Sequence, residues 1–120
     1  MNVAYWIIAS LLAAFYLYGG ALKAVRSRDG LRPMMAWVDS TPMPAVRAIG
    51  LVEVLGAIGL VLPPLTGIAP RLALAAALGF VVLQLGAIPV HLRLGDRRLA
   101  LNVTLLLAAV ATGWLATTWL

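Results

Sequence analysis

Glu53 and His91 are the two side chains of this sequence best suited to pass a proton between them, and both fall inside or at the edge of long apolar stretches. One could donate while the other accepts, the division of labour of a general acid and base. Tyr16 or Lys23 could then stabilise an oxyanion as it develops. Such a set suits isomerisation or opening of an epoxide, or proton transfer next to a carbonyl, on a small hydrophobic substrate. Tyr16, Lys23, Arg47, Gln84 and Asn102 also read as contacts for a bound ligand. Glu53 is the energetic oddity among them. A charge at the centre of a membrane-spanning helix costs about 2.5–3.5 kcal/mol on insertion scales, so such a group is paired, protonated or turned toward a cavity.

Each of these residues also has a plainer reading. Lys23 can extend its ammonium to lipid headgroups. Arg47 can do the same or hold a lipid phosphate; it lies six residues before Glu53, on a different face of a helix. His91 can be a boundary residue in the run that contains Arg93, Arg97 and Arg98, and Asn102 can bridge two helices. Glu53 is poor glue unless a cation or donor meets it. Lys23, His91 and Asn102 are the candidates for a buried structural pair with it.

Four apolar runs must position these groups: Val3 to Leu22, about Ala45 to Leu62, about Leu72 to Leu92, and Leu99 to Leu120. Each holds roughly the 20 residues that a helix needs to cross about 30 Å of hydrocarbon. In lipid each run must be helical, because the backbone has no other hydrogen-bond partner there. Composition agrees. Of 120 residues, 63% are hydrophobic and 11% charged, and the mean hydropathy is +1.02. A soluble domain is nearer half apolar and a quarter charged. The reading is therefore all-α: one integral membrane four-helix bundle spanning 1–120. The sequence has no cysteine, which excludes disulfides, thiolate metal sites and thiol redox chemistry. One histidine and four acids leave no multi-ligand metal site in prospect. The net charge of +5 flanks apolar spans instead of gathering in one solvated patch, so no nucleic-acid partner is expected.

Punctuation supports these limits. Ser40 and Thr41 before Pro42 and Pro44 predict a hydroxyl cap with proline in the first helical turn. Pro63 and Pro64 are expected to end the second span, with a short turn through Thr66, Gly67 and Pro70. Gly95 and Asp96 mark the last turn. The first run has no basic residues ahead of it and reads as a retained span, not a cleaved signal. Lys23, Arg26, Arg28, Arg32 and Arg47 lie in or beside the first loop, 23–44, and Arg93, Arg97 and Arg98 in the third, while the second holds only Arg71. By the positive-inside rule both termini are expected outside, with the first and third loops in the cytoplasm. In the first loop Leu31, Met34, Met35, Trp37 and Val38 are apolar and Pro33 could open a short helix. That segment reads as interfacial or re-entrant beneath the bundle, or as an ordinary amphipathic connector. Trp6, Trp114 and Trp119 read as interface anchors.

With that topology the polar residues fall at similar depths. Tyr16 precedes Lys23 by seven residues on one helical face, Gln84 precedes His91 likewise, and Asn102 shares a stripe with Ala109 and Gly113. Glu53 lies about two turns into its helix. Each helix thus contributes to the same half of the membrane. Small residues recur in the spans: Gly50, Gly56, Ala57 and Gly59 in the second; Ala73, Ala75, Ala76, Ala77, Gly79, Gly86 and Ala87 in the third. Ala75 and Gly79 form a small-xxx-small pair. The glycines serve close helix packing or leave space for a flat ligand, and both can hold at different depths.

The run Arg47-Ala-Ile-Gly50-Leu-Val-Glu53-Val-Leu-Gly56-Ala-Ile-Gly59-Leu-Val-Leu-Pro63 resembles the second-helix signature of DoxX-like membrane proteins, R-x-I-G-x-x-E-x-x-G-A-x-G-L-x-x-P. Gly86-Ala87 before His91, Asn102 early in the last helix, Lys23 ending the first and Trp37 in the loop are similar to that family as well. The resemblance implies a small four-helix protein of the bacterial cytoplasmic membrane. The family is named after a subunit of a thiosulfate:quinone oxidoreductase, and other relatives are associated with membrane redox complexes and oxidative-stress defence. By analogy of fold it implies a bundle that binds a quinone or other lipid-like ligand, or that anchors a soluble redox partner through its basic cytoplasmic loops. Without cysteine the chain cannot handle sulfur itself. A haem could rest only on His91 as sole axial ligand and is not expected. Proton or ion transport would need oligomerisation to make room for alternating access, and a homo-oligomer through the small-residue faces is expected in any case.

Overall fold

The structure is a computed structural model and describes residues 3–33, 35–94 and 99–119. Every regular element among them is helical. Helix α1 is Val3–Val25, α2 is the single turn Arg28–Leu31, α3 is Met43–Thr66, α4 is Leu72–Leu94 and α5 is Leu99–Ala116, with 3-10 turns at Ala36–Ser40 and Thr117–Trp119. Four helical segments, of 21 to 24 residues, are long and apolar enough to cross a membrane. At 1.5 Å per residue, 23 residues reach about 35 Å. They form a ring in the order α1, α3, α4, α5, with α1 against α3 the most extensive contact and α5 closing back on α1. Leu11, Leu55, Val82 and Leu107 are among many large apolar side chains on its outside. A helix that is apolar all round belongs in a core or in lipid.

The interior is layered. At the end where α1 begins, Tyr5, Ala9, Ala73 and Ala116 pack together. Leu12, Tyr16, Leu60, Phe80 and Leu105 belong to the middle layer. At the end where α1 finishes and α3 starts, Leu22 and Val46 meet Leu31 and Val38 of the connecting segment. This segment tucks beneath the bundle. Its turn starts at Ser27, whose oxygen accepts from the Gly30 N–H at 3.2 Å. Helix α2 therefore nucleates at the serine cap, and Pro33 follows it instead of opening it. Arg32 bridges Asp29 and Asp39 on its outer side. Met34 lies outside the described residues, as do Gly95, Asp96, Arg97 and Arg98.

Two expectations at the ends of α3 need correction. Ser40 and Thr41 do not cap it: both hydroxyls donate to the Trp37 carbonyl at 3.1 Å, and Pro42 occupies the cap position. Nor do Pro63 and Pro64 end it. Proline holds a helix-compatible φ and only removes an N–H, so the helix continues to Thr66 and stops at Gly67, whose φ of 75° is open to glycine. The missing N–H of Pro64 leaves the Leu60 carbonyl without its usual donor. The Tyr5 hydroxyl, from α1, donates to that carbonyl at 2.5 Å. Tyr5→Phe is therefore expected to cost about 1–3 kcal/mol, the penalty for orphaning a buried acceptor. In a Pro64→Ala background, where an N–H returns, the same change should cost much less. Unfolding of the four variants in one detergent checks this; equal costs in both backgrounds would refute it.

The glycines divide into two kinds. A Cβ on Gly50 would lie 2.6 Å from the Gly20 carbonyl oxygen, and one on Gly20 2.7 Å from that of Gly50, so α1 and α3 touch backbone to backbone. Ala75 and Gly79, by contrast, are exposed, and nothing lies within 4 Å of where a Gly79 Cβ would be. That small-xxx-small pair faces outward, away from the other described helices. Trp114 lies outside the bundle, whereas Trp6 and Trp119 pack edge-on against the buried Tyr5 ring.

Candidate functional site

The backbone contact of Gly20 with Gly50 brings the ends of α1 and α3 together, one turn from Lys23 and Glu53. Lys23 Nζ donates to Glu53 Oε1 at 2.5 Å, with both side chains buried. The Trp37 ring lies 5.8 Å from the same ammonium, within the range of a cation–π contact. Lys23 thus turns inward to the carboxylate and not outward to headgroups. An ion pair of this kind is costly to desolvate, and its two halves depend on each other.

A second pair lies deeper. Gln84 Nε2 donates to the Tyr16 hydroxyl at 2.5 Å. The Tyr16 ring stacks on Phe80 with 3.9 Å between centroids and a 12° interplanar angle. Phe80 in turn occupies the place where a Gly56 side chain would be: a Cβ there would lie 2.6 Å from the Phe80 ring. The glycine of α3 therefore admits the α4 ring, which fixes the α1 phenol, which holds the α4 amide. Gln84 Oε1 is buried and has no hydrogen-bond partner among the described residues.

Both pairs border one cavity of about 490 Å³. Tyr16, Lys23, Glu53, Gln84, His91 and Asn102 all line it, so each of the four long helices brings a polar group to it. The rest of its wall is mostly apolar. Met35, Trp37 and Thr41 of the connecting segment line it as well. Val82, Gly86 and Val90, spaced by four on α4, line it and are exposed, so the cavity opens on the outer apolar surface along that face.

Arg47 is not among the lining residues. Its guanidinium donates to the Lys23 carbonyl at 2.8 Å and to that of Arg26. These are carbonyls at the end of α1 that lack helical donors of their own. In this structure Arg47 clasps the start of α3 to the end of α1. Trp37 is legible in the sequence as part of the apolar loop segment and of the family resemblance, and Phe80, Gly56 and Gly20 carry no polar signal at all. The pattern of Gly50, Glu53 and Gly56 in one helix was their only trace in the sequence.

Four helices able to span a membrane, with a polar-lined cavity opening on their apolar surface, define a small multi-pass membrane protein. A model of the DoxX-like family matches residues 7–113, nearly the whole of the chain, and the chain belongs to that family. The match takes in every residue named above as lining the cavity. No curated protein and no solved structure matches it.

Proposed function

We propose that this protein binds a small hydrophobic molecule with a polar head, of the quinone or lipid kind, and serves as a membrane subunit of a redox system. The observation that carries this reading is the cavity: about 490 Å³, apolar-walled, with polar groups converging from all four long helices. Ligand sites of about 300–1,000 Å³ with a few placed polar groups are the usual form of such receptors. A quinone fits this donor set. Lys23, Tyr16 and Asn102 are the side chains that would hold its oxygens, and the ring would lie against apolar wall and Trp37. When bound it would supply reversible two-electron chemistry. The opening along α4 faces the medium in which such ligands dissolve. On the distribution of Lys and Arg we place this end of the bundle at the cytoplasmic face of a bacterial inner membrane, with both termini on the other side.

One observation favours a second reading. Glu53 and His91 line the same cavity, as an acid and base acting on one substrate must. The Lys23 contact, however, already occupies one oxygen of the carboxyl, which fits a positioning role for Glu53 better than a transferring one.

The test uses the full chain in lipid nanodiscs. Decyl-benzoquinone is titrated against tryptophan fluorescence, with Trp37→Phe as control, and mass spectrometry identifies what copurifies. Saturable quenching that depends on Trp37 is the expected result. Quenching that rises without saturation and ignores Trp37 would defeat the reading.

A further inference from the structure

We propose that Gln84 and Tyr16 select for an uncharged headgroup bearing a hydroxyl, so that the cavity prefers a phenol, hydroquinone or similar alcohol over a quinone, an ether or any charged lipid head. The inference rests on the cavity being a binding site.

The starting observation is the orphaned oxygen. Gln84 is 4% exposed, its Nε2 is committed to the Tyr16 hydroxyl, and its Oε1 is buried without a partner among the described residues. Buried acceptors are nearly always satisfied, and each exception calls for an explanation. A ligand that brings a donor supplies one. The Tyr16 oxygen accepts from Gln84 and keeps its own proton to donate. An acceptor and a donor therefore stand side by side on two residues that line the cavity. A hydroxyl group is complementary to both at once, since it donates and accepts through one atom. A carbonyl or ether oxygen could use only the Tyr16 proton and would leave Oε1 as it is.

Charge narrows the class further. Among the described residues Lys23 and Glu53 are the only Lys, Arg, Asp or Glu side chains lining the cavity, and they face each other at 2.5 Å. They cancel, so a charged headgroup finds no unpaired Lys, Arg, Asp or Glu among the described lining residues. An uncharged head leaves it intact. The geometry is also held in advance. Phe80 stacks on Tyr16 and nests on Gly56, so little side-chain freedom is lost when a hydroxyl docks.

The full-length protein in nanodiscs is titrated with decyl-hydroquinone under reductant, with its dimethyl ether, and with decyl-benzoquinone. The hydroquinone is expected to bind at least about tenfold tighter than the ether. Gln84→Met, which keeps the length and removes both the acceptor and the amide donor to Tyr16, should abolish that preference. Equal affinities for hydroquinone and ether in the unaltered protein would overturn the inference, and that comparison needs no variant. So would a quinone that binds tighter than the hydroquinone, or a preference that survives Gln84→Met. In each of these cases the cavity remains a binding site. If none of the probes binds saturably, the proposed function itself fails and this inference fails with it.

Discussion

Replacing Lys23 with Met, with Glu53 left in place, is expected to destabilise the bundle by about 3–5 kcal/mol. The change removes the cation that meets Glu53 Oε1 at 2.5 Å and leaves a carboxylate of 5% side-chain exposure between helices. Among the described residues no other Lys or Arg lines the cavity to replace it. Glu53→Gln with Lys23 intact should cost less, because an amide oxygen still accepts from the ammonium. The double replacement of Lys23 by Met and Glu53 by Leu should recover most of the loss, since the desolvation penalty leaves together with the attraction. Equilibrium unfolding of all four proteins in the same micelle gives the coupling between the two sites. A Lys23→Met protein within about 1 kcal/mol of the parent would mean that the lysine behaves as an exposed pair partner does. The inward assignment of Lys23 would then be wrong.

How much of this was legible in the sequence depends on which interaction is asked about. The four apolar runs needed only hydropathy and length, and they are four helices long enough to span. The polar residues could be placed by depth and by face, because a seven-residue step returns to the same side of a helix. On that basis Tyr16, Lys23, Glu53, Gln84, His91 and Asn102 belong near one another, and they do line one cavity. What periodicity cannot supply is the rotation of each helix relative to its neighbours. A soluble helix announces that rotation by its polar face, whereas these helices are apolar all round. Nothing in the spacing of Arg47 therefore points to the Lys23 carbonyl that its guanidinium meets.

The proline and capping errors have a related cause. Sequence rules for Pro63, Pro64, Ser40 and Thr41 assume that a chain must settle its own hydrogen bonds locally. Here the Leu60 carbonyl freed by Pro64 is met by a phenol from another helix, and both hydroxyls turn back to Trp37. Inside a bundle in lipid the demand for a partner is stricter, yet that partner can come from any neighbour. Local rules identify which group will be left over, as they do for Leu60. They do not identify what will meet it.

The sharpest contrast is between two glycines that look alike in the sequence. Gly50→Ala is expected to lower stability by about 1–3 kcal/mol, the cost of overpacking a filled site. Its new methyl would lie 2.6 Å from the Gly20 carbonyl, 2.7 Å from Lys23 Cβ and 2.9 Å from the Ala24 nitrogen. Two of those three are backbone atoms and cannot swing aside. Relief must come from α1 and α3 moving apart, which also pulls Lys23 from Glu53, so ligand affinity should fall with stability. Gly86→Leu should do the opposite. Nothing lies within 4 Å of its Cβ position, and it is an exposed lining residue of the cavity. Leucine also favours the helix over glycine by up to about 1 kcal/mol. The protein should therefore be as stable or more so, while the side chain projects into the opening and weakens decyl-benzoquinone binding at least about tenfold. Unfolding and quenching titrations on both variants give four numbers. If Gly86→Leu binds the probe as the parent does, the ligand does not enter along α4. If Gly50→Ala is as stable as the parent, the helices are not held backbone to backbone, and the inward placement of Lys23 loses its foundation.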